Sequence, residues 1–532
     1  MLHFKFRSIV VMNLRRLMPL LATAAFILSP AAAQADLGDQ LFKLLPNDNA
    51  AGDWFGFSVA ISGTTAIVGA LQDDDNGNNS GSAYLFDTTT GQQIAKLLPD
   101  DGAAGDGFSR VAISGTTAVV GARGDDDNGP NSGSAYLFDA TTGWQIAKLL
   151  PNDGAAGELF GASVATSETT AIVGAWGDDD NGFTSGSAYL FDTTTGQQIA
   201  KLLPDDGAAG DWFGISVAIS GATAIVGAYR NDDNGPTSGS AYLFDTTTGQ
   251  QIAKLLPDDG ASGDYFGYSV AIGGTTAIVG ARHDDDNGAD SGSAYLFDTA
   301  SGRQIAKLLP NDGAAGDGFG ISVAISGTTA IVGAYQDDDG GDKSGSAYLF
   351  DAATGQQIAK LLPDDGAADD VFGISVAISS TSAIVGAVWA DNNGFRSGSA
   401  YLFDAAGASA CQDSDGDGRV TICHIPPGNP DNAHTISVSV KAVPAHLAHG
   451  DYCGPCPEIV CLNPKADATD LNCQAAAECE INGGVVVFDL FECHCLEGVE
   501  EEQCCEAILE DFEALCESGG GTFSSFFCNC FP

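Results

Sequence analysis

The chain has 532 residues, of which 70 are Asp or Glu and 21 are Lys or Arg, giving a formal net charge of −49 at pH 7. A surface this acidic excludes nucleic acid and anionic lipid as partners, and leaves cations, basic proteins and neutral glycans. All 14 cysteines lie between Cys411 and Cys530, so composition divides the chain into a long cysteine-free stretch and a cysteine-rich end.

The first 35 residues read as an address. Lys5, Arg7, Arg15 and Arg16 precede the apolar run 17–28, and Ala33-Gln34-Ala35 follows, the pattern of a secretory signal peptide cleaved near Ala35. The expectation is an extracytoplasmic protein, secreted or at the cell surface. No later stretch is apolar for long enough to cross a bilayer, so no membrane span is expected. An even number of cysteines behind such a signal implies a disulfide framework in an oxidising compartment.

Residues 36–404 are a repeat. Lys-Leu-Leu-Pro begins at Lys43, Lys96, Lys148, Lys201, Lys254, Lys307 and Lys360, with 53 residues from Lys43 to Lys96 and 52 from Lys96 to Lys148. In the first unit, Phe57-Ser58-Val59-Ala60-Ile61 and Ala66-Ile67-Val68-Gly69-Ala70 flank a Gly63-Thr64-Thr65 turn. Ser82-Ala83-Tyr84-Leu85-Phe86 and Gln93-Ile94-Ala95-Lys96-Leu97-Leu98 follow, the last stopped by Pro99. Four short antiparallel strands repeated seven times predict an all-β fold, a seven-bladed β-propeller, and we expect a monomer. After Asp404 no Gln-Ile-Ala-Lys-Leu-Leu-Pro strand occurs, and the unpartnered segment 39–46 carries the same pattern. That N-terminal strand is therefore expected to complete blade seven. The repeated lysines read as charges that keep the outer edges from pairing.

Phe55-Gly56 followed by Val68-Gly69-Ala70, repeated as Phe160-Gly161 with Gly174-Ala175 and Phe213-Gly214 with Gly227-Ala228, resembles the FG-GAP repeat. That family includes the seven-bladed propeller of integrin α chains and secreted bacterial proteins. The resemblance implies the fold and leaves the ligand open. The Pro of the family's Gly-Ala-Pro is replaced here by Leu71, Arg123, Trp176, Tyr229, Arg282, Tyr335 and Val388. Integrin-like repeats carry calcium-binding carboxylates between their first two strands. Here that link is Ser-Gly-Thr-Thr, so those calcium sites do not carry over.

Strand alternation puts the links after strands two and four on one face, and every Asp-rich loop is of this kind. Two readings compete for these loops. Asp, Asn and Gly suit tight turns, while clustered carboxylates suit calcium. The calcium candidates are Asp73 and Asp75, Asp125 and Asp127, Asp178 and Asp180, Asp232, Asp284 and Asp286, and Asp337 and Asp339. On the same face Trp54, Trp176, Trp212, Tyr229, Tyr265, Tyr335 and Trp389, with Arg282 and His283, differ between otherwise matching loops and are candidate ligand contacts.

Residues 405–456 hold two further candidates. Asp413, Asp415 and Asp417 stand at positions 1, 3 and 5 of an EF-hand-like calcium loop that continues through Arg419 and Thr421, with His424 in place of the final Glu. His424, His434, His446 and His449 are a candidate zinc or copper set. Residues 457–532 contain a duplication, Cys479 to Cys495 and Cys516 to Cys530, each half reading as helix, Gly turn, strand. The whole reads as a non-enzymatic binding or adhesion protein with an extracellular protein or glycan ligand. Rival readings are a metal-dependent hydrolase centred on the histidines and a structural surface or matrix component.

Overall fold

A computed structural model describes residues 37–167 and 169–405, together with six strands further on: Arg419–His424, His434–Ser439, Tyr452–Cys453, Leu471–Ile481, Gly484–Cys495 and Thr522–Phe531. The chain divides into two units, 1–407 and 408–532.

The first unit is a seven-bladed propeller. Blade one comprises Phe55–Ser62, Thr65–Ala70, Ser82–Asp87 and Gln93–Leu97, hydrogen-bonded in sequence order, and blades two to six repeat that order. Blade seven has three strands of its own, Phe372–Ile378, Ser382–Ala387 and Ser399–Asp404. Gln40–Leu44 is its fourth, pairing antiparallel with Phe42 opposite Leu402 and Leu44 opposite Ala400. The ring closes as the sequence predicts.

Blades have little core of their own; the apolar layers lie between them. Ile67, Leu85 and Leu97 of blade one meet Val111, Val120, Tyr136 and Phe138 of blade two. Across the closure, Ile384 and Leu402 of blade seven meet Val59, Val68 and Phe86 of blade one. Each blade thus depends on two neighbours for burial, which is why one closed ring is stable where one blade is not.

The two glycines of the repeat explain how the blades come so close. Gly56 has φ +89°, and a Cβ there would lie 2.2 Å from the Ser399 carbonyl oxygen of blade seven. A Cβ on Gly69 would lie 1.9 Å from the Ser109 carbonyl oxygen of blade two. Beside Gly56, Phe55 is fully buried and packs edge-on against Tyr84 at 5.6 Å and Phe86 at 5.8 Å. Phe-Gly is a plug followed by a point of backbone contact.

In the second unit, Arg419–His424 lies between His434–Ser439 and Tyr452–Cys453, with His424 opposite His434. Leu471–Ile481 lies between Gly484–Cys495 and Thr522–Phe531. The helix expected before Gly483 is therefore a strand. Its Ala475-Ala476-Ala477-Glu478 run favours helix locally, but pairing along both edges overrides that preference.

Candidate functional site: the acidic face and its central mouth

In blade one, Asp73 is buried just past the second strand. Its carboxylate accepts from the Ser82 hydroxyl at 2.8 Å, the Tyr84 hydroxyl at 2.7 Å and Lys96 Nζ at 3.1 Å. Lys96 Nζ also reaches Asp75 at 2.5 Å and Asp48 at 2.7 Å, and stands 5.0 Å from the centre of the Tyr84 ring. The lysine comes from the outer strand, Asp73 and Asp75 from the loop after strand two, and Asp48 from the link that enters the blade. Burial pushes the Asp73 carboxyl up, but the hydrogen bonds from Tyr84 and Ser82 and the Lys96 charge overcome it and hold its pKa below the usual value.

The same cluster recurs. Lys148 meets Asp101, Asp125 and Asp127, and Lys201 meets Asp153, Asp178 and Asp180. Lys307 meets Asp259, Asp284 and Asp286, and Lys360 meets Asp312, Asp337 and Asp339. The repeated lysines are not free edge charges: each of these ammonium groups sits among three carboxylates. An ammonium thus stands where the loop sequence suggests calcium. Among the described residues no group of three or more His, Cys, Asp or Glu is arranged to hold a metal ion. Asp232 lies elsewhere in its loop, with Oδ1 accepting from the Thr237 amide at 2.7 Å. In blade four the buried position is Asn231, and Lys254 pairs with Asp206 and Asp233.

Beside each cluster stands one more carboxyl, buried in four blades and partly exposed at Glu158, whose pKa burial pushes up. Asp53 and Asp264 rise to about 6 and Glu158 to about 7.

Nearer the axis the repeats diverge. Trp176 stacks on Trp212 with ring centres 4.3 Å apart, Trp212 meets Tyr229 edge-on at 5.5 Å, and Tyr229 lies 4.9 Å from Tyr265, which stacks on His283 at 4.4 Å. Arg230 lies 4.1 Å over Trp212, and Arg282 4.1 Å over Tyr268. Tyr268 and Arg110 line the central channel, a cavity of about 290 Å³, with Arg110 lying 4.3 Å over Phe57. Burial and then the charge of Arg123 draw the Arg110 guanidinium down to about 10. Burial and then Arg282 hold His283 below its usual 6.5, although its Nδ1 is 2.9 Å from Asp290.

The sequence-predicted aromatics thus fall into two groups. Trp176, Trp212, Tyr229 and Tyr265 form one continuous cluster, and burial holds the Tyr335 hydroxyl above its usual value against the opposing charge of the nearby Arg282. Trp389 instead lies under Arg396 at 4.2 Å in blade seven, where the Trp54 amide donates to the Arg396 carbonyl at 3.3 Å. Sequence reasoning missed Arg110, Arg230 and Tyr268. Tyr268 occupies the position that is Phe57 in blade one, which varies between copies, whereas Arg110, in a blade one residue shorter, lies opposite Gly121 as Ser58 lies opposite Gly69.

The residue before each blade's first Phe is left-handed in all seven blades: Trp54, Leu159, Trp212, Tyr265 and Val371 have φ of 57°, 58°, 57°, 59° and 51°, and Gly107 and Gly318 have 63°. A left-handed bulky residue costs about 1–2 kcal/mol relative to glycine. The strain belongs to the repeat whatever side chain it carries, and Trp212 and Tyr265 bear it within the aromatic cluster.

Of the other candidates, Arg419, Thr421 and His424 lie on one strand and His434 on its neighbour. Asp413, Asp415, Asp417, His446 and His449 lie outside the described residues, as does the signal-peptide reading of 1–35. No helix among the described residues is long and apolar enough to cross a membrane.

Fold and face together define a repeat-built β-propeller with a carboxylate-rich rim and an aromatic, arginine-bearing mouth. The FG-GAP repeat family model matches seven times, at residues 39–86, 92–138, 144–191, 197–244, 250–297, 303–350 and 356–403, and the chain belongs to that family. Each match begins in the outer strand of one blade and ends in the third strand of the next. No curated protein matches the sequence.

Proposed function

We propose that this is a secreted or cell-surface binding protein whose propeller takes an extracellular protein or glycan ligand at the mouth of its acidic face. The observation that carries this reading is the contrast between its two kinds of cation. Five of the repeat lysines sit among three carboxylates each, whereas Arg110, Arg230 and Arg282 lie on aromatic rings with their Nε atoms buried and unpartnered. A buried donor left unpaired is costly, and an incoming acceptor relieves that cost. Aromatic faces stack on sugar rings or apolar side chains, and guanidinium groups take carboxylate, sulfate or carbonyl oxygens. The reading requires no catalytic step.

The test is binding of the purified chain to arrays of extracellular glycans and matrix proteins, repeated with Trp212→Ala and Arg230→Ala. Contacts that the wild type makes are expected to weaken by about 2 kcal/mol, roughly thirtyfold, in either variant. Binding that both variants retain in full, or no binding on either array, defeats the assignment.

A further inference from the structure

Blade seven departs from its sisters at one buried position. In blades one, two, three, five and six, an aspartate past the second strand accepts from a tyrosine hydroxyl at 2.7–2.9 Å. The same carboxylate pairs with the blade's lysine at 2.9–3.2 Å. In blade seven this residue is Ala390. The loop backbone is unchanged: the Gly398 amide donates to the Ala390 carbonyl at 2.9 Å as the Gly81 amide does to Asp73, and the Ser397 hydroxyl reaches the same carbonyl at 3.3 Å. The buried carboxylate is gone, and the Asp75 position is Asn392.

Of its former partners, the Ser399 hydroxyl now accepts from the Asn392 side-chain amide, while the lysine and the tyrosine remain beside the seat. Lys43 keeps the single carboxylate of Asp365 and the side-chain oxygen of Asn392, where its sisters have three carboxylates. The Tyr401 hydroxyl keeps only its bond to Asp365 at 3.0 Å, the counterpart of bonds that Tyr136 and Tyr295 make alongside their buried aspartates. Beside them is a cavity of about 580 Å³, whose lining includes Lys43, Tyr401, Trp389, Phe395 and Arg396. Phe395 is 68 % exposed, and Arg396 lies over both Trp389 and Phe395. That volume is in the range of small-ligand sites, with apolar walls and a few convergent polar groups.

We propose that this cavity binds a small carboxylic acid with a ring or apolar body, its carboxylate taking the seat of the missing aspartate against Lys43 Nζ and the Tyr401 hydroxyl while its body lies on Trp389 and Phe395. Asp369, Asp370 and Asp391 also line the cavity. Asp370 and Asp391 do not bar an anion, because Asp106 and Asp126 hold the matching positions in blade two, and there the seat carries Asp125; Asp369 stands where blade two has Gly105 and is an additional negative charge at the rim. Burial raises the Asp125 carboxyl, but the Asp127 amide and Lys148 bring it back below its usual value, so this seat favours a charged carboxylate. The site is separate from the central mouth, and neither reading depends on the other.

The experiment is calorimetric titration of the full chain with acetate, phenylacetate and glucuronate, alongside Ala390→Asp and Lys43→Met. Wild type is expected to bind phenylacetate or glucuronate more tightly than acetate, and which of the two binds names the body. Ala390→Asp restores the residue of the sister blades, so it is expected to fold, to melt higher without ligand, and to lose at least about tenfold in affinity. Lys43→Met is expected to lose binding without that gain in melting temperature. Equal affinity in wild type and Ala390→Asp, or no wild-type binding to any of the three acids, overturns the proposal.

Discussion

Glu158 is the residue at which protonation can be tested most simply. Burial pushes its carboxyl up to about 7, and its Oε2 is buried without a hydrogen-bond partner. A carboxyl raised in the folded state holds its proton more tightly there than in the unfolded chain. Its contribution is complete below the ordinary value of 4.5 and is lost as pH rises through about 7. Glu158→Gln fixes the neutral form. Denaturant melts should show the variant more stable than wild type by about 1 kcal/mol at pH 8, after allowing for solvent screening, and equal to it at pH 4. A gain of the same size at both pH values would mean packing rather than protonation.

At the scale of the element, the lysine cluster ties together three segments that share no strand. Lys96→Met leaves Asp73 buried without its cation and should cost about 2 kcal/mol, between the values for surface and buried pairs. It also removes the ammonium that a divalent ion would have to displace. Melting with and without calcium is expected to show a larger calcium-dependent rise in the variant than in wild type; equal rises would show that the lysine does not occupy a cation site. This cluster was only half legible in the sequence. The Asp runs, the lysines and their period are plain, but Asp48, Asp73 and Lys96 converge only once the link into the blade folds over the loop after strand two. Blade strands, Phe-Gly plugs and ring closure could be read because each follows from local pattern and from repetition. The stacking of Trp176, Trp212, Tyr229 and Tyr265 depends on blade-to-blade geometry that no single copy encodes. Ala390 was overlooked for a different reason: among runs of acids, one absent acid looks like ordinary variation until its partners are seen together.

For the whole molecule, closure decides stability. A chain lacking residues 37–46 loses the outer strand of blade seven and exposes the edge of Ser399–Asp404. It is expected to melt well below the full chain, and a synthetic peptide of residues 37–46 added in excess should raise that melting temperature by mass action. Failure of the peptide to raise it would mean that strand exchange is blocked or that the seam contributes little.

The closing strand also sets how the propeller meets force. Gln40 lies opposite Phe403, and the Gly38 amide bonds to the Asp404 carbonyl at 2.9 Å, so the two ends of the ring leave side by side from the same edge of one antiparallel pair. Tension between those ends peels the pair apart one rung at a time instead of shearing all its bonds at once. Blades one to six lie outside that path, and blade seven acts as a fuse that yields first and can re-form once the pull is released.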